Sequence, residues 1–240
     1  MNLSSFPYKV IDYKLKMNLN DMADLKPKDI KYCVWHHEGA SKDTDSSAKQ
    51  INDYHRNVKG WAGIGYHGVI RHNGNLELGR PLTKCGVHVG QPGNSQSIGY
   101  CITGNFSLVK LQEVRPIQFD AAVRLAVIVS LTYPGIKHVP HRDLHPSECP
   151  GKLFPWKEFI REHDILLNKE KNKKSILYCV QVGAFAIRDN ALRLRDKFKA
   201  GPITFSTGEK MDLTDAFIIE KKPGSFIMPG SFIIEKKPGS

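Results

Sequence analysis

The stretch Pro140-His141-Arg142-Asp143-Leu144-His145-Pro146-Ser147-Glu148-Cys149-Pro150-Gly151 constrains this chain more than any other, because three prolines stiffen a loop that carries imidazole and thiol donors. Imidazole nitrogen and thiolate sulfur are zinc donors, and a catalytic zinc takes three protein ligands while keeping its fourth position open. His141 and Cys149 supply two. The third must come from elsewhere, and Tyr32-Cys33-Val34-Trp35-His36-His37-Glu38 reads as part of a strand, Asp29 to His37, that ends in two imidazoles. Side chains alternate along a regular strand, so His36 shares a face with Val34 and Tyr32 while His37 takes the other. Only one of the two reaches a common metal, and alternation alone leaves open which.

At 240 residues the chain suffices for one ordinary domain and a small second one. An apolar fraction of 40% with 25% charged residues belongs to a folded globular protein. The net charge of +11 favours polyanionic surroundings. Nucleic acid, anionic lipid and the acidic polymers of a bacterial wall all satisfy it. The five cysteines, at 33, 85, 101, 149 and 179, form neither a disulfide framework nor a Cys-x-x-Cys pair. Met1 to Asn20 has no signal-peptide apolar core, and no run of about 18 apolar residues offers a membrane span. The expectation is synthesis in the cytoplasm without an export tag, where free thiols persist.

Asp45 or Ser46 is positioned to cap a helix whose Ala48, Ile51, Tyr54 and Val58 recur at helical spacing. Asn73-Gly74, between the runs Tyr66–His72 and Asn75–Gly79, predicts a hairpin with a type I′ turn. Cys85 to Gln96 reads as a loop over a site, with His88 and Asn94 as its polar candidates. Ser97 to Gly104 reads as a buried strand. A helix over Gln118–Tyr133 presents Phe119, Ala122, Val123, Ala126, Val129 and Tyr133, and a short strand at Ile136–Val139 delivers His141. His67 is expected to be structural, His145 exposed and inert, and His72 a hairpin-tip residue. Phe154–Leu167 reads as a closing helix, and the charged run 168–175 as a solvated linker.

Taken together, His36, the Gly-Tyr-His strand, the Ser-Ile-Gly strand and the His141-to-Cys149 loop make residues 1–167 resemble a zinc N-acetylmuramoyl-L-alanine amidase. That family, amidase-2, is shared by phage endolysins and peptidoglycan recognition proteins. The resemblance implies an α/β fold, a mixed β-sheet flanked by helices, with Zn2+ in a surface groove. The implied reaction cuts the amide between N-acetylmuramic acid and L-alanine of peptidoglycan. It also implies the choice of His36 over His37, with His36, His141 and Cys149 as metal ligands. By the same carry-over Tyr66 assists the attacking water or the polarised carbonyl. Phage enzymes carry lysine two residues before the ligand cysteine, where this chain has Ser147, a second hydroxyl in a catalytic position. His37, His88 and Asn94 are left as substrate-binding candidates.

Beyond the charged run, Tyr178-Cys179-Val180-Gln181-Val182-Gly183-Ala184-Phe185, Asn190-Ala191 and Ala216-Phe217-Ile218-Ile219 are similar to one half of a SPOR-type peptidoglycan-binding domain. The expected elements are a strand over Ser175–Ala186, a helix over Asn190–Ala200 and a strand at Phe217–Glu220. Residues 176–222 would form a small βαβ-type segment that binds the wall or pairs two chains as a homodimer. Residues 223–240 form a repeat tail, in which Phe232 to Ser240 restates Phe217 to Ser225. Two other functions compete with a wall hydrolase acting after release: a recognition protein that binds peptidoglycan without cutting it, and a metal-dependent nuclease. The thiolate donor argues against the nuclease, since a magnesium phosphodiesterase site favours carboxylates. No nucleic-acid partner is expected.

Overall fold

Strand β2 (Tyr32–His37) lies inside a six-stranded sheet in the computed structural model, which describes residues 1–40, 44–107, 112–176, 203–204, 210–211, 216–219 and 233–236. The other strands are β1 (Val10–Ile11), β3 (Gly68–Ile70), β4 (Leu76–Leu78), β5 (Ser97–Ile102) and β6 (Lys137–Pro140), in the order β1-β4-β3-β5-β2-β6. Strands β3, β5, β2 and β6 run parallel, and β4 runs antiparallel to β3. A parallel strand covered on both faces is apolar throughout, and Cys33, Val34 and Trp35 are each wholly buried. The strand begins at Tyr32, later than expected, because Pro27–Asp29 forms a 3-10 turn instead.

Alternation splits the sheet into two unequal cores. On one face Cys33, Trp35, Ile70, Leu76, Ile98, Tyr100 and Ile102 pack in one cluster with Leu125 and Val129 of α2 (Pro116–Thr132) and Phe159 of α3 (Trp156–Ile176). Trp35 meets the Phe159 ring at 4.9 Å and the Tyr100 ring at 5.7 Å. Helix α2 is buried over most of its circumference, a wider face than the expected stripe. On the other face a smaller cluster of Val69, Cys101 and Ile64 receives Ala48 and Ile51 of α1 (Ala48–Asn57).

Helix α1 is capped by Ser47, not Asp45 or Ser46. The Ser47 hydroxyl accepts from the Gln50 N–H and the Gln50 side chain accepts from the Ser47 N–H, a reciprocal capping box. Asp45 is engaged elsewhere, by Arg71, Thr103 and the His72 N–H. The inward face also differs from the periodic reading. Tyr54 is 49% and Val58 66% exposed, while Asn52 and His55 are buried, each with hydrogen-bonding partners that admit a polar group to the interior.

The hairpin β3–β4 exists but turns differently. The Arg71 N–H donates to the Asn75 carbonyl and the Gly74 N–H to the Arg71 carbonyl, and Gly74 alone in the turn has positive φ, +81°. A type I turn closed by a left-handed glycine has this pattern, whereas type I′ would need positive φ at Asn73 as well.

A chain of polar groups crosses the larger core. The Trp35 indole N–H, a donor only, gives to His138 Nδ1 at 3.1 Å, so the neutral His138 ring carries its proton on Nε2. That proton faces Ser130 Oγ at 2.9 Å, the Ser130 hydroxyl faces His163 Nε2 at 2.9 Å, and His163 Nδ1 faces Asp164 at 2.9 Å. Burial lowers the His138 pKa to about 3, in keeping with a neutral ring.

Two compact units divide the chain, Met1–Leu167 and Asn168–Ser240. Helix α3 continues through the run expected to be a linker, and Ser175 and Ile176 end this helix where a strand was expected to open. Lys and Glu are good helix formers, so charge alone does not interrupt a helix. In the second unit β7 (Ile203–Thr204) pairs with β8 (Lys210–Met211), and β9 (Ala216–Ile219) pairs antiparallel with β10 (Ile233–Lys236). The two full copies of the repeat thus pair with each other, Ile218 opposite Ile234 and Ile219 opposite Ile233. The expected helix over Asn190–Ala200 and the Val-Gln-Val-Gly segment lie outside the described residues.

Candidate metal centre

The carboxyl-terminal ends of β2 and β6 deliver two imidazoles to one place. Register sets Trp35 beside Pro140, so the next residues, His36 and His141, are neighbours, with ring centroids 4.7 Å apart. Cys149 is returned to them by closure of its loop. The Arg142 N–H donates to the Cys149 carbonyl at 3.1 Å. Gly151, at φ +98°, lies so near Phe106 that a Cβ would stand 2.3 Å from its backbone. One ligating atom each from His36, His141 and Cys149 lie within 4.8 Å of one another. This is the trio selected from the sequence.

Cys149 Sγ is 3.7 Å from His36 Nδ1. An ion with tetrahedral Zn–N and Zn–S bonds holds such a pair about 3.6 Å apart, so donor set and spacing both fit zinc. Burial holds His36 well below the ordinary histidine range, with His88, His141 and His37 adding to the effect, and burial likewise lowers His141. Both rings are neutral at pH 7, the form that binds metal. Burial pushes the Cys149 thiol up to about 12, against the His37 N–H that donates to it at 3.3 Å. A bound cation would supply the charge that ionises it.

Tyr66 stands beside this cluster, its ring 5.2 Å from that of His36. Burial raises its pKa well above 10, and the nearby thiols of Cys101 and Cys149 and the Glu38 carboxylate raise it further, so the hydroxyl keeps its proton. Tyr66 also lines a cavity of about 450 Å³ with Glu38, Gln50, Tyr54, His55 and Cys101. Ser147 is exposed on the ligand loop, and its oxygen accepts the Cys149 N–H at 3.1 Å. His145 is exposed as expected, yet its ring lies 6.0 Å from that of His141, at the rim of the site.

The three substrate-binding candidates sit differently from one another. His37 turns away from the cluster by strand alternation, and its Nδ1 accepts the Phe106 N–H at 3.0 Å. Asn94 is 6% exposed, and its side-chain oxygen accepts the His88 and Val89 N–H groups, so it shapes the loop beneath the site. His88 lies against His36, Nδ1 to Nε2 at 3.0 Å. His67 is structural as expected, bridging the Gly99 N–H and the Lys84 carbonyl.

Residues that sequence reasoning passed over hold the Tyr66 segment. His55 Nδ1 accepts the Gly65 N–H, and Asn52 accepts the Ile64 N–H. Arg80, 4% exposed, donates to the carbonyls of Ile64, Cys85 and Gly63, tying the approach to Tyr66 to the approach to His88. No spacing signals such contacts, since their partners are backbone atoms brought close only by the fold.

Fold and site together define a mixed-sheet α/β protein with a His-His-Cys metal-type centre at the ends of parallel strands. The family model described as N-acetylmuramoyl-L-alanine amidase, Amidase_2, matches residues 26–152. The chain is 33% identical over 136 residues to an endolysin of Klebsiella phage KP32, covering 55% of this chain and 87% of that protein. It is 31% identical over 134 residues to peptidoglycan-recognition protein SC2 of Drosophila simulans, covering 54% and 72%. The solved structure of N-acetylmuramoyl-L-alanine amidase LysC from Clostridium intestinale superposes with TM-score 0.56 at 27% identity, over 65% of this chain and 97% of that one. This chain belongs to the amidase-2 family of N-acetylmuramoyl-L-alanine amidases.

Among the described residues no helix is long and apolar enough to cross a membrane.

Proposed function

We propose that this chain is an endolysin-type peptidoglycan hydrolase that cleaves the amide between N-acetylmuramic acid and L-alanine with zinc-activated water. The observation that carries this reading is the convergence of His36, His141 and Cys149 beside Tyr66. His36, His141 and Cys149 would hold zinc, which when bound polarises a carbonyl and lowers the pKa of its water to about 7. The His37 N–H steadies the sulfur of Cys149 as it gives up its proton. Tyr66, kept protonated, donates a hydrogen bond to oxygen that gains negative charge. Ser147 accepts the Cys149 N–H through its oxygen and retains its own proton to donate. The cavity bounded by Tyr54, His55 and Tyr66 takes the part of the substrate next to the cut bond. Wall attachment and homodimerisation are assigned to the second unit, Asn168–Ser240, on the resemblance of its sequence to one half of a SPOR-type domain.

Digestion of purified sacculi followed by mass spectrometry of the products tests the reaction. Intact glycan strands with free peptides beginning at L-alanine are expected. Split sugars would overturn the amidase assignment, and binding without released peptide would make the chain a recognition protein instead.

A further inference from the structure

We propose that His88 is a positioning residue: by accepting the Nε2–H of His36 it fixes the tautomer that turns the His36 Nδ1 lone pair toward Cys149 and His141. The inference rests on the metal reading of His36, His141 and Cys149 and deepens it. Two neutral imidazoles joined by one hydrogen bond have two ways to place the shared proton. With the proton on His36 Nε2, His36 Nδ1 is a bare lone pair 3.7 Å from Cys149 Sγ. With it on His88 Nδ1, neutral His36 must carry its own proton on Nδ1, aimed at the place a metal would occupy. Only the first arrangement leaves His36 a ligand, and it requires an acceptor at the position of His88 Nδ1.

The chain builds a seat for that acceptor. Gly99 lies on β5 two residues before Cys101, the register partner of His36, so Gly99 and His36 belong to the same face. A Cβ on Gly99 would stand 2.5 Å from His88 Nδ1, and one on Gly86 would stand 2.2 Å from His88 Cδ2. Two missing side chains therefore make the space the ring fills. Its backbone is held as well, since the Asn94 side chain accepts the N–H groups of His88 and Val89, and the Val87 N–H donates to the Gly65 carbonyl. The His88 ring meets that of His36 edge to face, at 83°, an orientation that suits a ring acceptor better than stacking does.

The test compares the full-length wild type with His88→Phe, which removes the acceptor but keeps a ring, and His88→Asn, whose carbonyl oxygen can stand near the position of Nδ1. Long-range 1H–15N correlation spectra of the metal-free proteins read the His36 tautomer, and chelator competition reads zinc affinity. The expected wild-type state is His36 protonated on Nε2. His88→Phe should give mixed tautomers and bind zinc about 10- to 100-fold more weakly. His88→Asn should restore both toward wild type. A wild-type His36 protonated on Nδ1, or a folded His88→Phe protein with unchanged tautomer and zinc affinity, would overturn the inference. If the wild type takes up no zinc, the metal reading fails, while the metal-free spectra still decide the role of His88.

Discussion

The backbone N–H of His37 points at the sulfur of Cys149, 3.3 Å away. The ring of His36 lies 3.7 Å from the same sulfur, so adjacent residues serve Cys149 by different means, one through its side chain and the other through its main chain. Any residue except proline supplies a main-chain donor. His36→Ala, His141→Ala and Cys149→Ala should each lose zinc and wall lysis together, whereas His37→Ala should keep its zinc and lose the ring contact with Phe106 and the acceptor for the Phe106 N–H. Metal content by elemental analysis, with turbidity loss of sacculi, checks the series. Zinc retained in His36→Ala and lost in His37→Ala would reverse the assignment.

Tyr66 touches the site without being a candidate ligand, and its raised pKa leaves a neutral donor. Tyr66→Phe should therefore keep stoichiometric zinc and slow turnover by roughly a hundredfold or more, the scale on which one oxyanion donor acts. Ser147→Ala should cost less, because Ser147 is exposed and its hydrogen bonds compete with water. Wild-type turnover by Tyr66→Phe would reduce the tyrosine to a packing role.

Asp45 joins the loop before α1 to the hairpin by accepting from Arg71, Thr103 and the His72 N–H. Burial acts to raise its pKa, but these donors outweigh it and bring the value from 3.8 down to about 2. The unfolded chain then takes up a proton before the folded one as pH falls. The stability that ionised Asp45 contributes is complete above the unfolded value and is lost as pH drops through the folded one. Asp45→Asn should lower the urea midpoint at pH 6, and the deficit should shrink between pH 4 and about 2. A deficit independent of pH would show that the charge contributes nothing.

Among the described residues, helix α3 has its last buried aromatic at Phe159 and its last buried polar residue at His163, both before the unit boundary at Leu167. The family match ends earlier still, at residue 152. A fragment of residues 1–167 should fold as a monomer and digest sacculi at a rate within a few-fold of the full chain, while losing wall retention in pull-down. Light scattering and turbidity assays compare the two. A monomeric full-length chain whose wall retention survives truncation would remove binding and pairing from the second unit.

How much of this was legible depended on whether a residue answers to its sequence neighbours or to distant ones. Alternation separated His36 from His37, and the fold did the same, because β2 is regular and covered on both faces. Local rules failed where long-range partners intervened. Tyr54 and Val58 fit the helical period, yet Asn52 and His55 turn inward because the segment at Ile64–Gly65 offers them N–H groups. Asn73-Gly74 marked the hairpin but not its turn, since φ at Asn73 is set by the hydrogen bonds of the closed loop. His88 was read as a substrate-binding candidate, but its partner His36 stands 52 positions away, and only their 3.0 Å approach shows what it faces. The charged run after Leu167 coincides with the division between the two units, but its helical state was not legible, because polarity marks solvent exposure and says nothing against helix.

The last prediction concerns Ser130, which no motif singled out. Its hydroxyl receives the Nε2–H of His138 and gives its own proton to His163, so one small side chain satisfies two imidazoles. His163 is 6% exposed, so its Nε2 has little access to water as a substitute. Ser130→Ala removes one oxygen and leaves a donor on His138 and an acceptor on His163 unpaired. A buried group left without its partner costs about 1–3 kcal/mol, so the loss of stability should exceed that of Ser147→Ala, at an exposed serine. Trp35 is next in the chain of bonds and directly precedes His36, but its ring is also held by Phe159 and Tyr100. The damage should therefore appear in stability while zinc affinity stays within a few-fold of wild type. Urea denaturation with chelator competition separates these effects. An unchanged urea midpoint would mean that water replaces the hydroxyl without penalty.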